Sequence, residues 1–179
     1  MRKSLVVTVI GPDRPGLVSL LSDRARGVGA NWAASRMASL AGQFAGIVHF
    51  EVPAEKASAL ADALASVESS GLRVVIAESD AKTSPRNRRI VRLELVGHDR
   101  PGIMRDLSAR LAERGVSIDE LHTEIASAAM SAENLFKVKA VLVVPDALSN
   151  DELRRGLEAL ANEMMVDIAL GDETDTVRV

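Results

Sequence analysis

Two short loops carry the residues of this sequence that are best suited to binding a small anion. The motif Asp-Arg-Pro-Gly occupies positions 13–16 and returns at positions 99–102, each time between a β-branched apolar run and a helical pattern. A loop that opens a helix leaves the N–H groups of the first turn without intrahelical partners, and the helix dipole favours negative charge there. Gly16 and Gly102 have no side chain that would keep an anion away from those groups. The motif therefore predicts two candidate anion sites at helix starts.

The same residues also have a purely structural interpretation. Asp13 is a typical N-terminal cap, because its carboxylate can accept hydrogen bonds from N–H groups two or three residues further on. Pro15 is tolerated early in a helix, where its missing N–H is not needed. One such loop by itself favours a capped turn over a binding site, so both interpretations stay open.

The loops belong to a longer internal repeat with an offset of 86 positions. The apolar runs at 5–10 and 90–96 precede them, and the helical segments that follow also match. The repeated residues are Leu21, Ser22, Arg24 and Gly29, which return as Leu107, Ser108, Arg110 and Gly115. A repeat of this length indicates duplication of a whole folding unit. We therefore predict a first domain over 1–79, a polar linker over 80–89, and a second domain over 90–179 that ends in a short polar tail.

Hydrophobic periodicity predicts the same order of elements in both domains. In the first, Gly27 and Gly29 end the first helix and residues 41–43 form a turn. In the second, Ser149 and Glu152 fit a capping box, residues 128–134 form a longer connection, and 171–179 is a frayed tail. The predicted strands are 5–10, 30–37, 44–52, 72–77, 90–96, 116–126, 135–144 and 164–170, and the predicted helices are 17–28, 57–67, 103–111 and 150–161. The order β-α-β-β-α-β is that of ferredoxin-like domains.

Composition argues against several classes of function. The net charge of −3 disfavours direct nucleic-acid binding, which usually needs a basic face. The basic cluster at 86–89 lies in the polar stretch and is interpreted as a solvated linker. Aromatic residues make up 2% with no Tyr, which disfavours the base-stacking sheets of RNA-recognition domains. Every helical segment belongs to a repeat, so that none is left to form a DNA-binding helix-turn-helix.

The sequence predicts no metal, no cofactor and no membrane segment. No run approaches the ~20 apolar residues that span a bilayer, and the short apolar stretch after Met1 alternates like a strand rather than a signal peptide. There is no cysteine, which excludes disulfides and fits the cytoplasm. His49, His98 and His122 lie on different elements without ligand spacing. No nucleophile elbow or phosphate loop is present, so we predict no catalytic residues and no enzymatic activity.

The loops and the residues after the first helix resemble the ACT domain, a small-molecule-sensing module of amino-acid metabolism. The pattern includes Gly29-Ala30-Asn31-Trp32-x-x-Ser35-x-Met37, and the resemblance covers nearly the whole chain as two such domains. Tandem chains of this kind resemble the glycine cleavage system transcriptional repressor family. The resemblance implies an α+β fold, with two ferredoxin-like βαββαβ domains whose antiparallel sheets carry helices on one face.

The resemblance also implies where a ligand binds. ACT domains pair edge to edge through their second strands, and an amino acid lies between the first loop of one domain and the second strand of its neighbour. Its ammonium group would be received by Asp13 or Asp99. The implied ligand-binding residues are Asp13, Pro15, Gly16, Leu17, Val18, Asn31, Ser35, Asp99, Pro101, Gly102, Ile103, Met104 and Ser117. Leu121 stands at the place of Ser35 in the second domain and offers no hydrogen bond, so the chain is expected to have fewer working sites than repeats.

These expectations favour a regulatory protein that senses a small amino acid, with glycine as one candidate, and acts by contacting another protein. The family resemblance suggests a transcription factor as that partner and repression of glycine cleavage system transcription without direct DNA binding. A ligand-independent dimerisation or interaction scaffold is the alternative. A homodimer and pairing of the two domains within one chain both fit the sequence.

Overall fold

A computed structural model describes residues 1–79, 88–127 and 134–172 of the chain. The chain divides into two compact units, Met1–Ser84 and Pro85–Val179. Residues 80–87 of the predicted linker, 128–133 of the predicted hairpin connection and 173–179 of the predicted frayed tail lie outside the described residues.

The first unit has the predicted βαββαβ order. Its four strands form one antiparallel sheet in the order β2-β3-β1-β4, so that β2 and β4 are edge strands. The elements are β1 (Arg2–Pro12), α1 (Leu17–Gly27), β2 (Asn31–Leu40), β3 (Gln43–Pro53), α2 (Ala57–Ala65) and β4 (Arg73–Ser79), with 3₁₀ turns at Ala54–Lys56 and Ser66–Ser70 on either side of α2.

The second unit repeats this arrangement. Its sheet has the order β6-β7-β5-β8, which places β6 at an edge as β2 is in the first unit. The elements are β5 (Arg88–His98), α3 (Ile103–Ala112), β6 (Ser117–Ser127), β7 (Asn134–Pro145), α4 (Asn150–Met164) and β8 (Asp167–Asp172). The predicted fold, two α+β units of ferredoxin-like order, is confirmed.

Each unit has its own core between one face of the sheet and its two helices. In the first unit β1 buries Leu5, Val7 and Val9, and the helices bury Leu21 and Leu60 against them. The alternation in β1 follows from the period of two along a strand, while the helical residues follow the three- and four-residue spacing of one helix face. We call the sheet face toward the helices the inner face and the opposite one the outer face.

The predicted turn at 41–43 is confirmed as a two-residue hairpin. Leu40 pairs with Gln43, and the residues between them, Ala41 and Gly42, have φ values of 49° and 77°. Positive φ at both central residues matches the twist of the flanking strands, which makes this turn type common in tight hairpins.

Two sequence predictions are corrected. The strand predicted over 164–170 begins only at Asp167, because Met164 is buried and ends the apolar stripe of α4. The basic cluster is not wholly a solvated linker, since β5 begins at Arg88 and the Nη2 of half-buried Arg89 donates to the carbonyl of Leu148 at 2.9 Å. Arg86 lies outside the described residues.

Candidate functional site

Each anion-site loop ends in a glycine that starts the helix. Gly16 has φ 90° and ψ 0°, and Gly102 has φ 101° and ψ −13°. The carbonyl of Gly16 accepts the N–H of Leu20 at 2.9 Å, and that of Gly102 accepts the N–H of Asp106 at 2.9 Å. Glycine populates this left-handed conformation without a steric penalty, which explains its place in both loops.

The prediction that Asp13 caps the first helix is wrong, and the matching Asp99 does not cap α3 either. Neither α1 nor α3 has a side-chain cap, and the carboxylates of Asp13 and Asp99 are exposed. Asp13 lies three positions before the glycine that occupies the cap position, too early in the chain to act as the cap itself. Its backbone N–H instead donates to the carbonyl of Gly42 at 2.9 Å, and the N–H of Asp99 donates to Asn134 at 2.9 Å. Within the described residues, no side chain at either cap position therefore accepts from the first-turn amides.

The remaining predicted loop residues differ in what they can offer a ligand. Leu17 and Ile103 are buried in the cores, so that only their backbone N–H groups are available. Val18 is 48% exposed and Met104 is half-buried, and both lie in the first turn. The exposed prolines of the loops, Pro15 and Pro101, have no N–H to donate.

A β-bulge in β2 separates the two predicted strand residues. The register shifts between Trp32 and Ala34, which leaves Ala33 without a partner in the ladder. Trp32 and Met37 both pack on the inner core although they are five positions apart, which only a bulge permits. Ser35, opposite the buried Val48, therefore points to the inner face, and Asn31, opposite Glu51, to the outer face.

The second unit carries the same bulge. The register of β6 shifts between Ile118 and Glu120, so Ser117 shares a face with Val143 and Leu121 shares a face with the buried Ala140. Leu121 thus occupies the inner-face position of Ser35, as the repeat predicts, and is 48% exposed. The structure does not bring Ser117 and Leu121 to one side of the sheet.

The two helix starts differ in charge. No acidic residue lies in the first turn of α1, whereas α3 has Asp106 there. Its carboxylate Oδ2 is 3.8 Å from the point that a Cβ on Gly102 would occupy. This negative charge competes with an added anion for the same helix end. Arg105 lies 3.7 Å from Oδ1 of this carboxylate, and the helix start of the first unit has no such acidic group.

The arginine of each motif has a role that the sequence analysis missed. The Nη2 of Arg14 donates to the carbonyl of Ser70 at 2.9 Å, and that of Arg100 donates to Met164 at 3.0 Å. Both carbonyls lie at the end of the second helical segment of their unit, where unpaired carbonyls and the helix dipole favour a cation. The repeat of arginine at the same offset was the available signal.

Sequence reasoning also missed the role of the glycine that precedes each loop, Gly11 in the first unit and Gly97 in the second. A Cβ on Gly11 would lie 2.6 Å from the carbonyl oxygen of Gly71, and one on Gly97 would overlap Cγ1 of Val166. At this point β1 passes close to the segment that precedes β4, and β5 passes close to the segment that precedes β8. These glycines are required by close approach rather than by a positive φ.

Within the described residues, no group of three or more His, Asp or Glu side chains is placed to hold a metal ion. No helix among them combines the length and the apolar composition needed to cross a membrane.

Comparison with known proteins identifies the first unit and the overall fold. A family model of the ACT domain matches residues 3–76. An unknown protein from Galdieria sulphuraria has a solved structure that is 31% identical, with 96% of this chain and 99% of that one aligned at a TM-score of 0.86. A protein proposed to be a glycine cleavage system transcriptional repressor shares the fold at 18% identity, with 96% and 97% coverage and a TM-score of 0.72. No curated protein sequence matches the chain.

Proposed function

This chain belongs to the ACT-domain family, and on that premise we propose that it is a regulatory protein that senses a small amino acid and acts through protein contact. The observation that carries the proposal is the uncapped start of α1, where Gly16 adopts a left-handed conformation and no acidic residue lies in the first turn. The first-turn amides at this point suit a carboxylate, and the exposed carboxylate of Asp13 is available for an ammonium group.

The helix start alone supplies only ~0.3–1 kcal/mol, or ~2 kcal/mol in a partly buried site, so a second group must contribute to binding. Ser35 is the strand residue that fits this role, because it points to the inner face, on which α1 packs. Asn31 points the other way and would reach such a ligand only through its backbone. The second unit offers Leu121 and Asp106 instead, which supports one principal site in the first unit.

The edge strand β2 has a partner on one side only within its sheet, which leaves its other side available to a neighbouring domain. We propose that this neighbouring domain completes the ligand site, and that it belongs either to a second copy of the chain or to the same chain. Ligand binding regulates a partner only if it favours one arrangement of the domains over another.

The proposed partner is a protein, with a transcription factor as the first candidate and the cytoplasm as the setting. This step is supported by the shared fold with the protein proposed to be a glycine cleavage system transcriptional repressor. The net charge of −3 argues that any effect on transcription proceeds without direct contact with DNA. Because of the similarity to that protein, glycine and serine are the first amino acids to test.

The experiment is thermal unfolding of the purified chain with and without a panel of amino acids. A ligand at 100 times its dissociation constant adds about 2.7 kcal/mol to the unfolding free energy of the unit that binds it. For a unit of roughly 80–90 residues the midpoint then rises by roughly 11–22 °C. We expect one small amino acid to produce this rise.

The variant Gly16→Asn locates the site. Asparagine tolerates a positive φ and places an amide over the first-turn N–H groups, so the ligand shift is expected to disappear. Gly71→Asn is the matched control, because Gly71 has φ 85° and a Cβ there, as at Gly16, meets nothing within 4 Å. A shift that survives Gly16→Asn would refute this site, and the absence of a shift with every compound would favour a ligand-independent scaffold. Turnover of a substrate by the purified chain would contradict the assignment as a non-enzyme.

A further inference from the structure

The outer face of the first sheet is apolar at its centre. Its larger side chains are exposed to 44% at Ile10, 53% at Ile47 and 67% at Val75. The pairing places Thr8 between Ile47 and Val75, and Ile10 beside Ala45, so that these residues lie on one face across three strands. A shallow groove of about 320 Å³ runs beside them, and its lining combines Val6, Ala34 and Ile47 with the polar residues Ser35, Arg36 and His49.

The same face of the second sheet is charged. The repeat places Arg92 at the position of Val6, Glu94 at that of Thr8, and Lys139 at that of Ile47. The Nζ of Lys139 lies 4.0 Å from Oε1 of Glu94. Since the second unit has the same fold with these charges, the fold does not require apolar residues on this face. The apolar face of the first unit therefore calls for a separate explanation.

We infer that the outer face of the first sheet is an interface at which two copies of this chain pack sheet against sheet. Its strands have 11, 10, 11 and 7 residues. At ~3.3 Å per residue and ~4.8 Å between strands, the face covers roughly 600 Å². A stable interface buries about 1,200–2,000 Å² summed over both partners, so two such faces, at roughly 1,200 Å² together, reach the lower end of this range.

The shape of the face and its apolar centre favour a second copy as its occupant. The larger side chains alternate with alanines, and two sheets pack ~10 Å apart by inserting the side chains of one between those of the other. Arg36 on β2 and Arg73 on β4 lie at the two edges of the sheet, beside Ile47 and Ile10 respectively. An apolar centre with a charged rim is the usual anatomy of a homodimer interface.

The test is the mass of the full chain in solution, measured by sedimentation and light scattering over a wide concentration range. The triple variant Val6→Arg, Thr8→Glu, Ile47→Lys gives the first sheet the residues that the second sheet carries at the same places. We expect this variant to have half the mass of the wild-type assembly with an unchanged circular dichroism spectrum. The factor of two holds whether or not the chains also pair through the edges of their sheets.

Lys139→Gln, on the outer face of the second sheet, is the matched control and is expected to leave the mass unchanged. If the triple variant does not fold, Ile47→Thr keeps a β-branched residue in the strand and is expected to weaken association, raising the concentration needed for it. A wild-type mass of one 19.1 kDa chain at every concentration would overturn the inference, as it would leave the face to a different partner. A folded triple variant with the wild-type mass would overturn it as well.

Discussion

At the scale of single residues, the glycine and the arginine of the repeated loop have different structural roles. Gly16 and Gly102 start the helices, and Arg14 and Arg100 fasten the loops to the ends of the second helical segments. The sequence shows that these residues recur, but it led us to assign the structural role in the first loop to Asp13 as a helix cap. It could not do otherwise, because the carbonyl that each arginine contacts lies 56 or 64 residues away in the chain.

Replacing either arginine is expected to destabilise its unit. Arg100→Ala leaves the carbonyl of Met164 without this donor in a partly buried site and should cost about 1–2 kcal/mol of unfolding free energy. Arg14→Ala removes a more exposed bond and should cost about 0.5–1 kcal/mol. Urea unfolding measures both, with Arg105→Ala as the control, since the Arg105 side chain is 88% exposed. Equal stability of all three variants would contradict the role of the arginines.

The glycines before the loops give a second prediction. Gly11→Ala and Gly97→Ala should each lower the unfolding free energy by about 1–3 kcal/mol, because the added methyl group forces its neighbours apart. The two sites differ in what blocks the methyl group. Val166→Ala removes the overlapping Cγ1 and should partly rescue Gly97→Ala, whereas no side-chain truncation removes the carbonyl oxygen that faces Gly11. A double-mutant cycle that shows simple additivity of Gly97→Ala and Val166→Ala would rule this out.

At the scale of elements, periodicity predicted each α-helix and strand of the described residues, while the 3₁₀ turns and the bulges escaped it. The bulges at Ala33 and Asp119 have no distinctive sequence, so the sequence does not show that Asn31 and Ser35, which the family resemblance implies as ligand residues, point to opposite faces of the sheet. The end of α4 was misplaced because Met164 fits both a helical stripe and the apolar run of a strand. The capping box was predicted correctly, since its signal is local and lies within four residues.

That capping box makes the stability of α4 depend on pH. The side chain of Ser149 donates to Glu152 at 2.7 Å and its backbone N–H donates at 3.1 Å, and these bonds, together with Arg155, hold the pKa of Glu152 below 4.5. The ionised carboxylate therefore favours the folded state. Its contribution is present above pH 4.5 and is lost as the pH falls through the lowered pKa.

We expect Glu152→Gln to lose less stability than the wild type when the pH is lowered through this range. Ser149→Ala should lower the unfolding free energy by about 1 kcal/mol near neutral pH, because it removes the acceptor for the N–H of Glu152. Thermal unfolding across the pH series checks both. Glu158→Gln, also exposed on α4, is the control, and a parallel decline of Glu152→Gln and wild type would contradict the coupling.

At the scale of the whole molecule, the two units share one fold and differ in what they present. The sequence predicted the duplication because an 86-residue offset is visible without any structure. It could not predict which faces and helix ends differ in use, since this depends on the bulge and on the side of the sheet to which each residue points. The proposed sites of the two units therefore differ at two positions: the second unit has Leu121 where the first has Ser35, and Asp106 where the first has Leu20.

Transferring the first site into the second unit tests this difference. The double variant Asp106→Leu, Leu121→Ser places the residues of Leu20 and Ser35 at the equivalent positions. If the proposed function holds, the number of ligand molecules bound per chain, measured by calorimetric titration, should rise from one toward two. The variant Asp106→Leu alone removes the competing charge and should give a weaker second event. If the double variant still bound one ligand per chain, the two substitutions would not be what distinguishes the second loop from the first.

The paired bulges have a consequence for how the chain avoids aggregation. An exposed edge strand offers a template on which any extended segment of a misfolded protein can grow. The ladder hydrogen bonds of β2 and β6 are interrupted near their first residues, at Ala33 and Asp119, so a regular strand cannot follow either edge along its full length. Regular strand addition is thus confined to the part of each edge that follows the bulge, residues 34–40 of β2 and 120–127 of β6.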